Sequence, residues 1–484
     1  MEPSPRSSRL SSRRLGRRAL VASAIGLAAS AGLIACSQSI PSGPTAASKP
    51  VAPAASAAPA PTTAAKPAAR PTASTAASSA SAVHLQATNW SAVDTAKIYD
   101  KLIATFQKQN PTISVTFTAI TTDYWPTMLT RAAGGVAPDA FWMNAQNLGA
   151  WVARNQLLDL GPLATSTKYD FTDFFKAGVV AYTWDGKLRA LPSQVDNRGL
   201  FFNQSMFEKA SVKLPALDYT DKSWNWDTFL DAAQHLTQKT AGQRDPIQYG
   251  YLVEPSFIDY SPWVWAAGGH FMNEDRTASQ MTNPATVAAF QFLQDLIQKY
   301  HVAPTPDALS TQNADVLFSL GKIGMTTETI SKTTYYRAQV KSFTWDAGAL
   351  PAGKAGFVNQ SSGPAWSISV QSKHSEEAWL LSAYLCSVEA QNALAAGGAE
   401  LPSRISVAKK FWEKPDGPPA HGKVFLDGMS FVHPNPFVWN WSEIEAMLTK
   451  ELGFLWDGSK TAEQVMKEID PQMNKLLQAK APTS

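Results

Sequence analysis

The chain has 484 residues, of which 42 are basic, 39 are acidic and 44% are hydrophobic. Residues 1–35 hold six arginines and one glutamate, so of these totals 36 basic and 38 acidic residues remain beyond residue 35. This near-neutral balance argues against a nucleic-acid partner, and the two cysteines, Cys36 and Cys386, allow at most one disulfide.

The first 36 residues have the features of an export signal. Arginines at 13, 14, 17 and 18 precede an uncharged run from Ala19 to Ala35. The run is rich in Ala and Gly and falls short of the ~20 strongly apolar residues of a membrane-spanning helix. We therefore predict a removable signal peptide over residues 1–35.

The end of that run, Leu33-Ile34-Ala35-Cys36, resembles the bacterial lipobox, in which the cysteine is lipidated and becomes the new N-terminus. An ordinary secretory signal with an incidental cysteine is the alternative. The Arg13-Arg14 pair matches a twin-arginine export signal in part, and general secretory export is an equal alternative. With Cys36 lipidated, Cys386 has no disulfide partner, so the core must hold the fold.

Residues 36–82 follow as a low-complexity segment. Beyond Cys36, they are almost entirely Ser, Ala, Pro, Thr and Gly, with three charges and no aromatic residue. Such a segment buries too little apolar surface to offset its ordering entropy, so we predict a disordered tether. Proline keeps such a tether extended, which holds the folded body away from the membrane.

The body from residue 83 to 484 is long enough for more than one domain. Apolar residues at 98, 102, 103 and 106 share a helical face, and those at 113, 115, 117 and 119 alternate as a strand. Further helices are predicted at 123–134, 148–158, 226–240, 284–300, 375–396, 441–452 and 461–478, and strands at 140–143, 188–191, 248–253, 321–326 and 365–370. Asn225 is the predicted N-cap of the helix at 226, and Thr228 leaves its capping box incomplete. This alternation predicts an α/β fold with a largely parallel sheet covered on both faces.

Motifs for catalysis are absent. The sequence contains no G-x-S-x-G, H-E-x-x-H or C-x-x-C motif and no glycine-rich phosphate loop. The seven histidines are scattered without metal-ligand spacing, so neither a metal nor a cofactor is predicted. A glycosidase needs only two carboxylates at a set separation and remains an alternative, but the chain is predicted not to be an enzyme.

Tryptophan is abundant, with sixteen residues between Trp90 and Trp456. An indole face suits the C–H face of a sugar ring, although any single tryptophan is more often a core residue. The pairs Trp263/Trp265 and Trp439/Trp441 lie near prolines, in contexts that predict loops or helix starts. We therefore expect these pairs to cover a ligand.

Several local motifs then occur in a recognisable order. Residues 185–192 (DGKLRALP) are close to "DGKxYAxP", residues 200–207 (LFFNQSMF) to "LxYNKDLF", and residues 226–229 (WDTF) to "TWdeF". Pro138-Asp139 precedes a predicted strand, and residues 318–325 (FSLGKIGM) follow in order. Over about 300 residues, this order resembles the extracellular solute-binding proteins of ABC importers, specifically the carbohydrate-binding group that includes maltose-binding protein.

The resemblance implies a two-lobed periplasmic-binding-protein fold, with two α/β lobes joined by a multi-strand hinge and a ligand cleft between them. Residues 83–193 and about 352–400 would form the N-terminal lobe. Residues from about 194 to 351 and 401–484 would form the C-terminal lobe.

Carried over by position, the resemblance places the ligand-binding residues at strand ends, as in other open α/β sheets. They are Asn89, Trp90, Tyr124, Asn144, Gln146, Asn147, Asp196, Glu254, Tyr260, Trp263, Trp265, Trp366, Phe437, Trp439 and Trp441. Asp196 has an equal alternative role as a loop acid or an ion-pair partner of Arg198. Where maltose-binding proteins carry a tryptophan after a strand, this chain has Thr327-Glu328-Thr329.

The function that the resemblance implies is capture of a sugar or oligosaccharide and its delivery to an ABC import permease. The protein would be a monomer on the outer face of the bacterial cytoplasmic membrane, attached to the bilayer through Cys36. A binding protein for another solute, such as a polyol phosphate or a peptide, is the alternative; a phosphate would need cationic partners in the cleft.

Overall fold

The computed structural model describes residues 82–242, 245–311, 313–396, 401–413 and 415–482. The predicted signal peptide, Cys36 and the predicted tether up to residue 81 lie outside the described residues. No helix in the described part of the chain is both long enough and apolar enough to cross a bilayer.

The described residues form short strands and mostly short helices. The strands are β1 (Val83–Asn89), β2 (Ile113–Ala119), β3 (Ala140–Met143), β4 (Thr183–Trp184), β5 (Lys187–Leu188), β6 (Leu191–Pro192), β7 (Gln194–Asn203), β8 (Tyr249–Leu252), β9 (Ile323–Thr329), β10 (Trp345–Gly348), β11 (Ser361–Ser362), β12 (Ala365–Ile368) and β13 (Leu401–Pro402). The helices are α1 (Val93–Gln109), α2 (Tyr124–Ala133), α3 (Ala145–Ala153), α4 (Gly161–Ser166), α5 (Lys176–Ala181), α6 (Gln204–Ala210), α7 (Trp226–Leu236), α8 (Phe257–Ala266), α9 (Pro284–Gln298), α10 (Pro306–Thr311), α11 (Ala314–Ser319), α12 (Lys332–Gln339), α13 (Ser375–Leu385), α14 (Val388–Ala396), α15 (Ile405–Trp412), α16 (Lys423–Gly428), α17 (Trp441–Trp456) and α18 (Ala462–Leu477).

Most predicted elements are present, with shifts at their ends. β2 and β3 have the predicted bounds, whereas the helix predicted at 375–396 is two helices, α13 and α14. The capping box of α7 is complete, which corrects the prediction. Asn225 accepts from the backbone N–H of Thr228 at 3.2 Å, and the Thr228 hydroxyl accepts from the N–H of Asn225 at 3.0 Å. A hydroxyl oxygen can take the place of the usual carboxylate because the position needs only an acceptor.

Two sheets organise the chain. The first has the strand order β2-β1-β3-β12-β6, and the second has β10-β7-β9-β8, with β11 and β13 also paired to β7. The prediction of a largely parallel sheet was wrong, because β12 runs antiparallel to both neighbours and β7 runs antiparallel to β9 and β10. Among the described strands, only the β1–β2, β1–β3 and β8–β9 pairs of the two sheets are parallel.

Strand β7 connects the two sheets. Only Ser193 separates it from β6 of the first sheet, and its residues 198–203 pair with β9 and β10 of the second. Its first four residues pair with β13 and β11 instead. The chain returns to the first sheet between β11 and β12, at residues 363–364. The fold is thus two α/β lobes joined by a multi-strand hinge, as the motifs predicted.

Gly363 lies at this return passage in a conformation that requires glycine. Its φ is +123°, and an added Cβ would lie 2.6 Å from the backbone oxygen of Gln194. Both constraints disfavour any larger residue, because L-residues rarely adopt this φ and the neighbouring backbone cannot move aside cheaply.

We therefore expect Gly363→Ala to lower the free energy of unfolding by about 1–3 kcal/mol in urea denaturation. Gly453→Ala is the matched control, because a Cβ there meets nothing within 4 Å inside α17. That substitution should be neutral or stabilising. Equal effects of the two substitutions would show that the hinge backbone is not constrained at Gly363.

Candidate ligand-binding site

Aromatic rings form a cluster at the carboxyl ends of β1 and β3. The half-buried Trp90 ring lies 5.0 Å from Tyr124 and 4.8 Å from Trp142, measured between ring centroids. The hydroxyl of Tyr124 donates to the backbone oxygen of Trp142 at 2.7 Å. Trp366 in β12 pairs with Trp142 in β3, and both indole N–H groups are buried without a hydrogen-bond partner among the described residues. This cluster, here called the indole wall, comprises Trp90, Tyr124, Trp142 and Trp366.

Predicted amide residues lie beside the indole wall, but part of their hydrogen-bonding capacity is used locally. Asn144 is the N-cap of α3, because its side-chain oxygen accepts from the backbone N–H of Asn147 at 3.1 Å and from its side chain at 2.9 Å. Gln146 donates to Glu445 of α17 at 3.2 Å, which joins a first-lobe helix to a helix of the second lobe. Asn89 accepts from Ser91, while its own side-chain NH2 group is buried without a described partner.

Asp196 lies in the segment of β7 that pairs with β11, directly where the chain passes between the lobes. Its Oδ1 atom is buried and has no hydrogen-bond partner among the described residues. Burial raises the pKa of Asp196 to about 6, and the nearby Arg198 cation opposes that shift. This carboxylate is therefore held in the hinge with unused acceptor capacity.

Arg198 is not held by Asp196. Its Nε atom lies 2.9 Å from Oδ1 of Asp259 and donates to the backbone oxygen of Ile258 at 3.3 Å. That oxygen is free because Pro262 lies inside α8 and has no N–H to donate to the residue four positions earlier. The Asn359 side chain makes two hydrogen bonds to the Arg198 backbone. Its Oδ1 atom accepts from the Arg198 N–H at 2.9 Å, and its Nδ2 atom donates to the Arg198 carbonyl at 2.8 Å.

Carboxylates converge around Arg198 from the second sheet. Glu254 follows β8 by two residues, and Glu328 in β9 pairs with Gly199 of β7. Burial raises the pKa of Glu254 to about 7, and the Asp259 and Asp315 carboxylates add to the shift. Burial raises the pKa of Glu328 to about 8 against the opposing charge of Lys332. We call Arg198, Glu254, Asp259, Asp315, Glu328 and Lys332 the charged cluster.

The prediction included Glu254 but missed Glu328, Lys332 and Asp259. A signal for Glu328 was present, because a charged residue within the buried strand of residues 323–329 is unusual unless it has a specific role. The pairing of Arg198 with Asp259 carries no comparable signal, because 60 residues separate them.

The tryptophan pairs occupy different surroundings from those predicted. Trp263 and Trp265 lie within helix α8 and not in a loop or at a helix start, because the carbonyl that Pro262 leaves free is satisfied by Arg198. Trp263 packs among other aromatic rings, 5.1 Å from Phe229 and 5.5 Å from Trp226. Tyr260 is also buried among aromatic rings.

The other predicted aromatic residues lie near the segment before α17. Trp265 stacks on His433 at 4.3 Å. Trp441 is the buried first residue of α17 and lies 4.9 Å from Phe437. Trp439 is half-buried, and its backbone packs closely against Gly149 of α3. A Cβ added to Gly149 would lie only 2.9 Å from the Trp439 Cα.

Two adjacent cavities open beside this segment. One of about 450 Å³ is lined by α5 residues of the first lobe, Phe437 and hinge residue Ser361. The other, of about 560 Å³, is lined by Trp265 and His433 among others. Trp265 and Phe437 thus face open volume, while Trp263 and Tyr260 pack within the protein.

The raised pKa of Glu328 predicts a pH dependence of stability. The folded protein holds this proton more tightly than the unfolded chain, whose glutamate titrates near 4.5, so ionisation destabilises the fold as pH rises from about 4.5 to 8. We expect Glu328→Gln to raise the free energy of unfolding at pH 8 by ~2 kcal/mol, with a difference that shrinks towards pH 4. Urea denaturation across this pH range measures it. The exposed Glu274→Gln is the matched control, and a Glu328→Gln variant that is less stable at pH 8 would contradict the assignment.

Three solved structures show the fold. An ABC substrate-binding protein from Listeria monocytogenes in complex with cycloalternan superposes with a TM-score of 0.74 at 24% identity, covering 82% of this chain and all of that one. The sugar-binding protein MalE from Xanthomonas citri gives 0.70 at 20% identity, over 82% of this chain and 97% of that one. UgpB from Mycobacterium tuberculosis in complex with glycerophosphocholine gives 0.68 at 16% identity, over 81% and 98%.

The family follows from the sequence itself. The family model described as bacterial extracellular solute-binding protein matches residues 101–419, well over half of the chain. The solute-binding family and the two-lobed fold that the motifs predicted are thereby confirmed: the chain belongs to the bacterial extracellular solute-binding proteins.

Proposed function

We propose that this protein captures a sugar or oligosaccharide between its two lobes and delivers it to an ABC import permease, without chemistry of its own. One lobe would consist of residues 82–193 and 364–396. The other lobe would consist of the remainder of the body, and β7 would join the two. The three solved structures are too distant in sequence to identify the ligand, so the proposal depends on the site itself.

The observation that carries the proposal is a set of buried polar atoms, in the strands of the indole wall and at the start of β7, that have no hydrogen-bond partner among the described residues. They are Asn89 Nδ2, Trp142 Nε1, Trp366 Nε1, both side-chain polar atoms of Gln194, and Asp196 Oδ1. Buried polar groups are nearly always hydrogen-bonded, so such a set calls for an external partner. Both donors and acceptors occur in it, and sugar hydroxyls can do both.

The chain connectivity supports this reading, because these atoms come from neighbouring strands. β1, β3 and β12 are adjacent in the first sheet, and β7 follows β6 after one residue. Within the indole wall, the half-buried Trp90 ring offers a flat apolar surface for a sugar ring, whereas Trp142 and Trp366 are buried. A phosphate-bearing solute is less well matched, because Arg198 and Lys332 already pair with Asp259 and Asp315.

A ligand screen tests the proposal. Binding to the folded state alone raises the melting temperature, since it stabilises by RT ln(1 + [L]/Kd). We expect such a shift with sugars and none with glycerol phosphate or short peptides. If only phosphates or peptides shift the melting temperature, the ligand is not a sugar. If the protein releases any product from an oligosaccharide, it is a glycosidase and not a binding protein.

Asp196 provides the sharpest substitution. Asp196→Asn keeps the shape but replaces an acceptor by a donor in a buried site, so a sugar hydroxyl loses a charge-assisted bond. We expect sugar binding at least ~10-fold weaker by calorimetry, or about 1.4 kcal/mol, with no loss of stability in the ligand-free protein. The exposed Asp100→Asn on α1 is the matched control. Intact affinity would show that Asp196 has only a structural role in the hinge.

Membrane attachment is tested separately through Cys36. If this residue is lipidated, Cys36→Ser should move the protein from the membrane fraction to the soluble fraction or leave the signal uncleaved. Cys386→Ser is the control, because that thiol is buried and free. Unchanged attachment of the Cys36→Ser variant would contradict the lipoprotein assignment.

A further inference from the structure

The charges of the charged cluster do not balance. Four carboxylates and two cations lie within it, and each cation is paired with an aspartate. Arg198 Nε lies 2.9 Å from Asp259, and Lys332 donates to Asp315. Glu254 and Glu328 each lie within electrostatic range of these two cations, and neither has a hydrogen bond or ion pair to any residue that the structure describes.

The second feature of the cluster that indicates a ligand is an unpartnered donor atom of Arg198. Arg198 has only 1% of its side chain exposed, yet its Nη1 atom has no hydrogen-bond partner among the described residues. Arg198 interacts electrostatically with Asp196, Glu254 and Glu328, so this unused donor lies among carboxylates that have unused acceptors. The site thus offers one donor and several acceptors, and it carries excess negative charge once Glu254 and Glu328 are ionised.

We propose that the ligand carries an ammonium group, which Glu254 and Glu328 receive, so that the transported solute is an amino sugar. The inference rests on the proposed sugar-binding function and specifies its substrate class. An ammonium has three donors and a positive charge, and both complement two unpaired carboxylates. A ring hydroxyl of the same sugar would accept from Nη1 of Arg198.

The protonation of the cluster supports this assignment. Glu328 lies within electrostatic range of the carboxylates of Asp259 and Asp315 and of the cations of Arg198 and Lys332, and burial raises the pKa of Glu328 to about 8. At neutral pH the empty site therefore retains a proton that an incoming ammonium group would displace. Binding of an amino sugar should release a proton from the protein, whereas binding of a neutral sugar should not.

The experiment uses the body of the protein and three disaccharides that share the same linkage. These are the free-amine dimer of glucosamine, its di-N-acetyl form and cellobiose; the monomers glucosamine, galactosamine, mannosamine and glucose complete the panel. Calorimetry in two buffers of different ionisation enthalpy gives both the affinity and the proton release. We expect the amines to bind at least ~10-fold more tightly than their neutral and acetylated counterparts, with proton release.

Two variants locate the contact. Glu328→Gln and Glu254→Gln should each weaken amine binding by ~10-fold or more and change neutral-sugar binding by less than ~3-fold. The exposed Glu376→Gln on α13 should change neither. A melting curve of each ligand-free variant shows that it is folded, and two variants are used so that one folding failure does not decide the result.

The outcomes separate this inference from the proposed function. Binding of neutral sugars as tight as that of amines, or amine binding that is insensitive to both variants, overturns the ammonium assignment and leaves sugar binding standing. A panel in which no sugar of either kind binds overturns both.

Discussion

The buried guanidinium of Arg198 is the interaction on which the hinge side of this structure depends. An isolated buried charge costs several kcal/mol, so the cation persists only with good partners. The partners of the guanidinium, Asp259 and the backbone oxygen of Ile258, both lie in α8, while Asn359 just before β11 bonds to the Arg198 backbone. Fixing Arg198 therefore fixes where α8 and the return strand lie relative to β7.

Pro262 supplies one of the partners that the buried Arg198 needs. Inside a helix, proline normally destabilises by removing a hydrogen bond and exposing a carbonyl. Here the exposed carbonyl of Ile258 becomes an acceptor for Arg198, so the defect in the helix satisfies the cation. Trp263 and Trp265, which follow Pro262, then belong to a continuous helix, Trp263 packed within the protein and Trp265 facing His433.

The sequence predicted what local periodicity and motifs encode, and it could not predict long-range partnerships. The strands at 113–119 and 140–143 have the predicted bounds because alternation and flanking turns define them locally. Strand direction was mispredicted because it depends on which sheet the chain enters after one or two residues. Trp263 and Trp265 have similar sequence contexts, yet one is covered by Phe229 and Trp226 and the other borders a cavity. Only the tertiary structure separates a core indole from one at a site.

The same long-range partnerships divide the site into two walls of different chemistry. The first lobe contributes the indole wall, whose unused groups are mainly neutral donors, while the second contributes acids near Arg198. Asp196 lies between them on β7, which belongs to the connection itself. A ligand that contacts both walls interacts more strongly when the lobes are close together, and such differential affinity is what shifts a hinge equilibrium towards closure. The Gln146–Glu445 hydrogen bond between α3 and α17 is one contact that closure would gain.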